Sequence, residues 1–245
     1  MYREYGELST MLYEFTKPIG YSIDGDIEYY SRKLENVTGR ILEAGVGTGR
    51  MLIPLIKNGS IVDGVDSSAE MLKQCRLNLG KHGVEALLYE QDLVDLSLPH
   101  KYEAIIIPTG SFCLLPRERI EEVLKAFYNH LEEGGRLIVD LEMPISFKEG
   151  ATNTSSFLMT EDTGIILTSY SERIDWVGQK TSSINRYELV EKGRIIKTEI
   201  SNFVMYWYGV SEFRILLSFL GYKDISYELG YGKGGSELIT FTAYK

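Results

Sequence analysis

The sequence predicts an open α/β sheet of seven strands flanked by helices, with an antiparallel β segment inserted late in the chain. Three observations carry that expectation. A short apolar strand, Arg40 to Ala44, ends in glycines at alternate positions, Gly45, Gly47 and Gly49, followed by a helix-like run from Arg50 to Lys57. Further apolar strands recur at Ile61–Val65, about Glu85–Tyr89, Tyr102–Ile107 and Arg136–Leu141, interleaved with helix signals, as in a mostly parallel sheet. Between about Gly150 and Tyr208 the pattern changes to stretches rich in Ile, Thr, Ser and Tyr. Turn signals at Glu161-Asp162-Thr163-Gly164 and Glu191-Lys192-Gly193-Arg194 divide that region into hairpins.

Taken in order, residues 2–15 place Tyr5, Leu8, Leu12 and Phe15 at helical spacing, and a second helix is expected from about Asp26 to Asn36. In the glycine turn, missing Cβ atoms admit positive φ angles and let a ligand lie on the backbone. Main-chain N–H groups at a helix N-terminus then face that ligand. The second strand closes at Asp66, and Ser67-Ser68-Ala69-Glu70-Met71-Leu72 reads as a helix start with Ser67 or Ser68 as N-cap. Carboxyl ends of neighbouring parallel strands line one crevice, so Asp66 shares a ligand with the glycine turn. An ionised carboxylate there accepts both hydroxyl protons of a ribose; the alternative is a strand-end turn residue.

The third strand leads into Glu90-Gln91-Asp92-Leu93 and the fourth into Pro108-Thr109-Gly110-Ser111-Phe112, on the same rim. Asp92 suits an adenine amino group, with Leu93 as an apolar wall, or it caps the following turn. A helix is expected over Leu114–Leu131, opening at Pro116 and ending before Gly134-Gly135 as a C-cap pair. Glu142, at the tip of the fifth strand, faces the substrate side of the rim or is a solvent-facing acid before Pro144. A helix from Val210 to Leu220 and two strands, about Tyr222–Glu228 and Glu237–Ala243, complete the chain.

With 245 residues, 44% hydrophobic and 25% charged, one domain with an elaboration is expected rather than two full domains. No apolar run reaches the ~18 residues of a membrane span, and Met1-Tyr2-Arg3-Glu4-Tyr5 lacks the layout of a secretion signal. Cys75 and Cys113 alone give neither a disulfide framework nor a metal site, which fits a reducing cytoplasm. A formal charge of −9 without a Lys/Arg cluster weighs against nucleic acid. The densest charge run, Pro116 to Glu122, alternates sign as a solvated face does.

The ordered motifs Glu43-x-Gly45-x-Gly47-x-Gly49, Gly64-Val65-Asp66-Ser67-Ser68-x-x-Met71-Leu72, Gln91-Asp92-Leu93 and Glu133-Gly134-Gly135-Arg136-Leu137 resemble the class I S-adenosylmethionine-dependent methyltransferases. The resemblance covers about residues 35–145 and implies a Rossmann-like seven-stranded sheet with its last strand antiparallel. It implies S-adenosylmethionine as cofactor, its methionine part against the turn of Gly45, Gly47 and Gly49 and oriented by Glu43. Asp66 would take the ribose, Ser67 would lie beside the adenine, and Asp92 with Leu93 would read its edge. The main chain at Pro108 and Thr109 would lie near the reacting sulfonium. Val46 departs from the Cys that many relatives carry. In the family, N-terminal helices fold over the cleft and a tyrosine touches the cofactor, which makes Tyr13, Tyr21, Tyr29 and Tyr30 candidates.

The order of elements is similar to small-molecule N-methyltransferases, among them aminosugar N,N-dimethyltransferases and, more distantly, glycine N-methyltransferases. That similarity divides the chain into a cofactor domain, 1–149 and 209–245, and an inserted segment, 150–208, covering the acceptor. Met205-Tyr206-Trp207-Tyr208 ends the insertion; Tyr206 and Trp207 are acceptor candidates beside Glu142, or pack the insertion onto the sheet. The expected reaction is in-line methyl transfer to a nitrogen or oxygen of a small molecule. His82, His100 and His130 pair with no nucleophile, so no general base is assigned, and a homodimer stays open. Two rivals are a non-catalytic module of the same fold and a nicotinamide-dependent oxidoreductase. The latter normally carries Gly-x-Gly-x-x-Gly, whereas here the third glycine comes one residue early.

Overall fold

The computed structural model describes residues 5–235 and 237–245. Its strands are β1 (Arg40–Ala44), β2 (Ile61–Asp66), β3 (Leu88–Glu90), β4 (Tyr102–Ile107), β5 (Leu131–Glu142), β6 (Thr152–Leu158), β7 (Thr163–Asp175), β8 (Lys180–Glu191), β9 (Arg194–Tyr206), β10 (Lys223–Leu229) and β11 (Leu238–Tyr244). Its helices are α1 (Glu7–Thr16), α2 (Asp26–Lys33), α3 (Leu52–Lys57), α4 (Ala69–His82), α5 (Ile120–His130) and α6 (Val210–Phe219). Seven strands form the main sheet in the order β10-β11-β5-β4-β1-β2-β3. Only β11 runs against its neighbours.

Successive strand residues feed opposite faces of this sheet. Ile41, Ala104, Ile106 and Ile138 join Leu52 and Ile53 of α3 and Leu72 and Cys75 of α4 in one buried layer. Leu42, Ile105, Ile107, Val139 and Leu141 join Phe127 of α5 and Phe213 of α6 in the other. Both faces are covered, so these strands read as continuous apolar runs rather than alternating ones.

Several boundaries depart from the sequence expectation. The helix over Leu114–Leu131 is shorter: α5 starts at Ile120, after 3-10 turns at Ser111–Leu114 and Arg117–Arg119. Leu115 is extended, at ψ 140°, because a residue before proline is pushed out of the helical region. Gly134 and Gly135 are not a C-cap. The helix ends at His130, and the pair lies inside β5, next to a register shift against β4. A Cβ at Gly135 would lie 2.9 Å from the Glu132 carbonyl oxygen, so close backbone approach requires this glycine. β3 begins at Leu88 rather than Glu85, and α2 ends at Lys33 rather than Asn36.

The second sheet, β6-β7-β8-β9, is antiparallel throughout. Lys192 (φ 48°) and Gly193 (φ 75°) form the two-residue β8–β9 connection, both left-handed as a tight hairpin demands. Polar latches join this sheet to the rest. Arg117 donates to the Trp207 carbonyl at 3.0 Å and to Gln179 Oε1 at 2.7 Å, and pairs with Glu212 at the start of α6. On β9, Glu199 accepts the N–H groups of Leu8 and Ser9 at 3.0 and 3.3 Å and the Ser9 hydroxyl at 2.9 Å. Two orphan amides at the start of α1 are thus capped from the other end of the chain.

Candidate active site

The strand order reverses between β1 and β4, and a cleft of about 560 Å³ opens there beyond the strand ends. Gly45, Gly47, Asp66, Ser67, Asp92 and Leu93 all line it, so the residues singled out after β1, β2 and β3 do converge. Gly47 sits at φ 54°, and a Cβ there would meet nothing nearer than Met71 Sδ at 4.0 Å. Gly49 (φ 85°) is placed differently: a Cβ would lie 2.9 Å from Cys75 Sγ. It lets the turn pack on α4 and is not part of the cleft wall.

Asp66 Oδ2 accepts the Gly47 N–H at 2.9 Å and Oδ1 accepts the Ser68 N–H at 2.8 Å. A carboxylate has about four lone-pair sites, so acceptor capacity towards the cleft remains. Burial pushes the Asp66 pKa up, against the pull of these main-chain donors. Ser68, rather than Ser67, caps α4, accepting the Met71 N–H at 3.2 Å. Asp92 caps the following turn, accepting the Val94 N–H at 3.0 Å, and it also lines the cleft.

Glu43 is buried, 3% exposed, and its Oε2 has no hydrogen-bond partner among the described residues. Burial pushes its pKa up to about 8, although Arg50 opposes this. An orphaned buried carboxylate oxygen beside a glycine turn suits a cationic or donor ligand. Glu43 and Pro108 do not themselves form the cleft wall; Ile107 and Ser111, on either side of the Pro108–Gly110 turn, do.

Of the four tyrosine candidates, Tyr13 alone lines the cleft; Tyr29 and Tyr30 pack with Tyr231 in the core, and Tyr21 is exposed. Tyr5 also reaches the cleft, its carbonyl accepting the Ser68 hydroxyl at 2.8 Å. The pattern alone did not disclose what holds this edge. Arg50, 3% exposed, pairs with Asp26 at 2.5 Å, donates to the Tyr21 carbonyl at 2.6 Å and reaches the Tyr13 hydroxyl at 3.4 Å. Its only sequence signal was a cation directly after the last glycine of the turn.

A second pocket, about 150 Å³, brings together Glu142, Tyr206 and Trp207 with Met143, Phe147 and Met205. Burial, and then the nearby Asp140, push the Glu142 pKa above the ordinary glutamate range, with Lys17 opposing. The Glu142 side chain lies over Gly110, where a Cβ would sit 2.6 Å from the carboxyl carbon. Gly110 adjoins Ser111 of the larger cleft, so this turn lies between that cleft and Glu142 of the smaller pocket. Trp207 also packs edge-on against Trp176 of the same inserted segment, 5.6 Å between centroids. His130 serves structure, its Nε2 accepting the Leu98 N–H at 3.0 Å. No cluster suited to a metal ion occurs among the described residues. No helix among them is long and apolar enough to cross a membrane.

Residues 41–135 match the family model described as a methyltransferase domain. A putative methyltransferase of Geobacillus sp. (strain WCH70) is 29% identical over 103 residues, 42% of this chain and 42% of the relative. The chain thus spans less than half the length of that curated relative. Two solved structures superpose over nearly the whole chain. The sugar N-methyltransferase of Streptoalloteichus sp ATCC 53650 gives a TM-score of 0.76 at 19% identity, covering 94% of this chain and 91% of that one. An S-adenosylmethionine-bound amino pentose methyltransferase of Micromonospora echinaspora gives 0.72 at 19%, covering 99% of each. The chain thus has the fold of these two solved methyltransferases, and residues 41–135 match a methyltransferase domain.

Proposed function

We propose that this chain transfers a methyl group from S-adenosylmethionine to the nitrogen of a small amine held between the two sheets. The observation that carries the reading is the convergence of Gly47, Asp66 and Asp92 on one cleft, from which Glu142 of the smaller pocket is separated by the Gly110–Ser111 turn. The donor set fits the cofactor: a carboxylate with spare acceptor capacity for a diol, an acid for an amino edge, and an orphaned buried carboxylate for positive charge.

Bound S-adenosylmethionine supplies an electrophilic methyl group; the amine lone pair forms the new C–N bond as the C–S electron pair returns to sulfur. The protein's part is to hold both reactants in line, which contributes about 7–11 kcal/mol in well-oriented systems. Glu142 holds the acceptor amine and takes its proton, passing it to water. Phe147, Met205, Tyr206 and Trp207 enclose the acceptor and exclude solvent. The names of the neighbours just described, a sugar N-methyltransferase and an amino pentose methyltransferase, support an amine over a hydroxyl.

The test pairs calorimetry against S-adenosylmethionine, S-adenosylhomocysteine and NAD with mass detection of methylated small amines and alcohols. Binding of NAD but neither adenosyl compound would overturn the assignment. Binding without transfer to any acceptor would favour a non-catalytic module. Glu142→Gln is expected to lower kcat by ~100-fold, the low end for a lost general base. Because burial raises the Glu142 pKa, the wild-type rate falls as pH drops through a value above the ordinary glutamate range. The Gln variant should lack that acidic limb.

A second expectation concerns Glu43, whose pKa near 8 leaves it largely protonated at pH 7. A cation bound beside it restores the carboxylate, so S-adenosylmethionine binding at pH 7 should release a proton and tighten as pH rises towards 8. Calorimetry in two buffers of different ionisation enthalpy reads the proton directly. Glu43→Gln should abolish both effects.

A further inference from the structure

We propose that Asp140 is a positioning residue for methyl transfer: its carboxylate fixes the Pro108–Ser111 turn that divides the cofactor cleft from the acceptor pocket. This rests on the methyltransferase reading above. Asp140 is fully buried on β5, two residues before Glu142 and on the same face of the sheet. Its Oδ2 accepts the Thr109 N–H at 2.7 Å and the Tyr231 hydroxyl at 2.8 Å, while Oδ1 accepts the Thr240 hydroxyl at 2.6 Å. One side chain thus ties the end of β4, strand β11 and the β10–β11 connection to β5.

Thr109 needs that grip. It is β-branched yet held at φ 53°, a conformation such residues rarely adopt without support. Gly110 follows at φ 72°. The two left-handed residues aim the turn so that Ser111 faces the Gly45 loop, 3.3 Å from where a Gly45 Cβ would be, while Gly110 seats the Glu142 side chain. A backbone strained in this way at the junction of two cavities persists only when its surroundings over-determine it. Asp140 supplies the charged acceptor that does so. It touches neither cavity, since it is absent from both walls.

Asp140→Ala removes the grip on Thr109. Asp140→Asn keeps an oxygen for the Thr109 N–H and turns its NH2 towards the Thr240 hydroxyl oxygen. We expect kcat to fall at least ~30-fold in the Ala variant, with the S-adenosylhomocysteine Kd within ~3-fold of wild type and the Asn variant near wild-type kcat. Amide hydrogen exchange over residues 109–114, measured on the ligand-free protein, should accelerate in the Ala variant and not in the Asn variant. If the Ala variant does not fold, Asp140→Ser serves, because its hydroxyl stops one bond short of Thr109; the same losses are expected. Wild-type kcat, or unchanged exchange at 109–114, in a folded Ala or Ser variant overturns the proposal. A wild-type protein that transfers no methyl group while the exchange pattern holds would instead locate the failure in the activity reading.

Discussion

Asp66→Ala should weaken S-adenosylmethionine binding by about 10- to 100-fold while leaving the protein folded. One hydrogen-bonded interaction with a charged group contributes ~1.5–3 kcal/mol, and ~1.4 kcal/mol is a factor of ten in Kd. The upper end is favoured here because the carboxylate has two duties. It offers acceptor sites to the cleft, and through Oδ2 it also holds the Gly47 N–H that shapes the glycine turn. Asp66→Asn is intermediate: its amide oxygen can keep the Gly47 contact, while its NH2 loses the Ser68 N–H and the charge is gone. Calorimetry should rank wild type, Asn and Ala in that order. Equal affinity across the three would remove Asp66 from the cofactor.

The largest stability effect is expected from Asp26→Ala. Asp26 is fully buried at the start of α2, where Oδ1 accepts the Ile23 and Ile27 N–H groups, each at 2.8 Å, and Oδ2 meets Arg50 at 2.5 Å. Deleting one partner of a buried pair leaves the other charge without compensation, which costs ~3–5 kcal/mol. At ~2–4 °C per kcal/mol for a chain of this size, the melting temperature should fall by about 10 °C. Because Arg50 also reaches Tyr13, the variant should lose cofactor affinity even well below that temperature. A double variant with Arg50→Met removes the stranded charge and should recover part of the loss. A melting point unchanged in Asp26→Ala would mean that water reaches Arg50 in this site.

The cofactor rim was legible in the sequence because its chemistry fixes residue type at each position. Gly47 stands at a positive φ on the cleft, and Asp66 is an acid that accepts a turn amide there with its carboxylate still facing the cleft. The seven strands were legible for a similar reason, since burial on both faces leaves runs such as Ile105-Ile106-Ile107. What escaped was set by contacts distant in sequence. Arg50 reads as an ordinary cation after a turn, and its partner Asp26 lies on another helix. Gly134-Gly135 has the composition of a helix cap, yet the requirement falls on Gly135 and comes from main-chain oxygens of its own strand at Glu132 and of β4 at Tyr102 and Glu103. The β7–β8 connection at Trp176-Val177-Gly178-Gln179 gave little warning either. Trp176 and Val177 are apolar at an exposed tip, 68% and 97% accessible, where turn chemistry usually places polar residues. The Thr109 grip by Asp140 was invisible as well, because an acid within an apolar strand does not announce which loop it holds.

The cap that Glu199 places on α1 makes the four-stranded sheet hard to excise. Cutting out residues 152–206 to reach a minimal catalytic core would strip two main-chain donors of their acceptor and end the Lys197–Glu7 ion pair. The first helix carries Tyr13 into the cleft, so truncation aimed at one cavity would fray the rim of the other. Replacing this segment with another would therefore have to carry a matched N-terminal helix along with it.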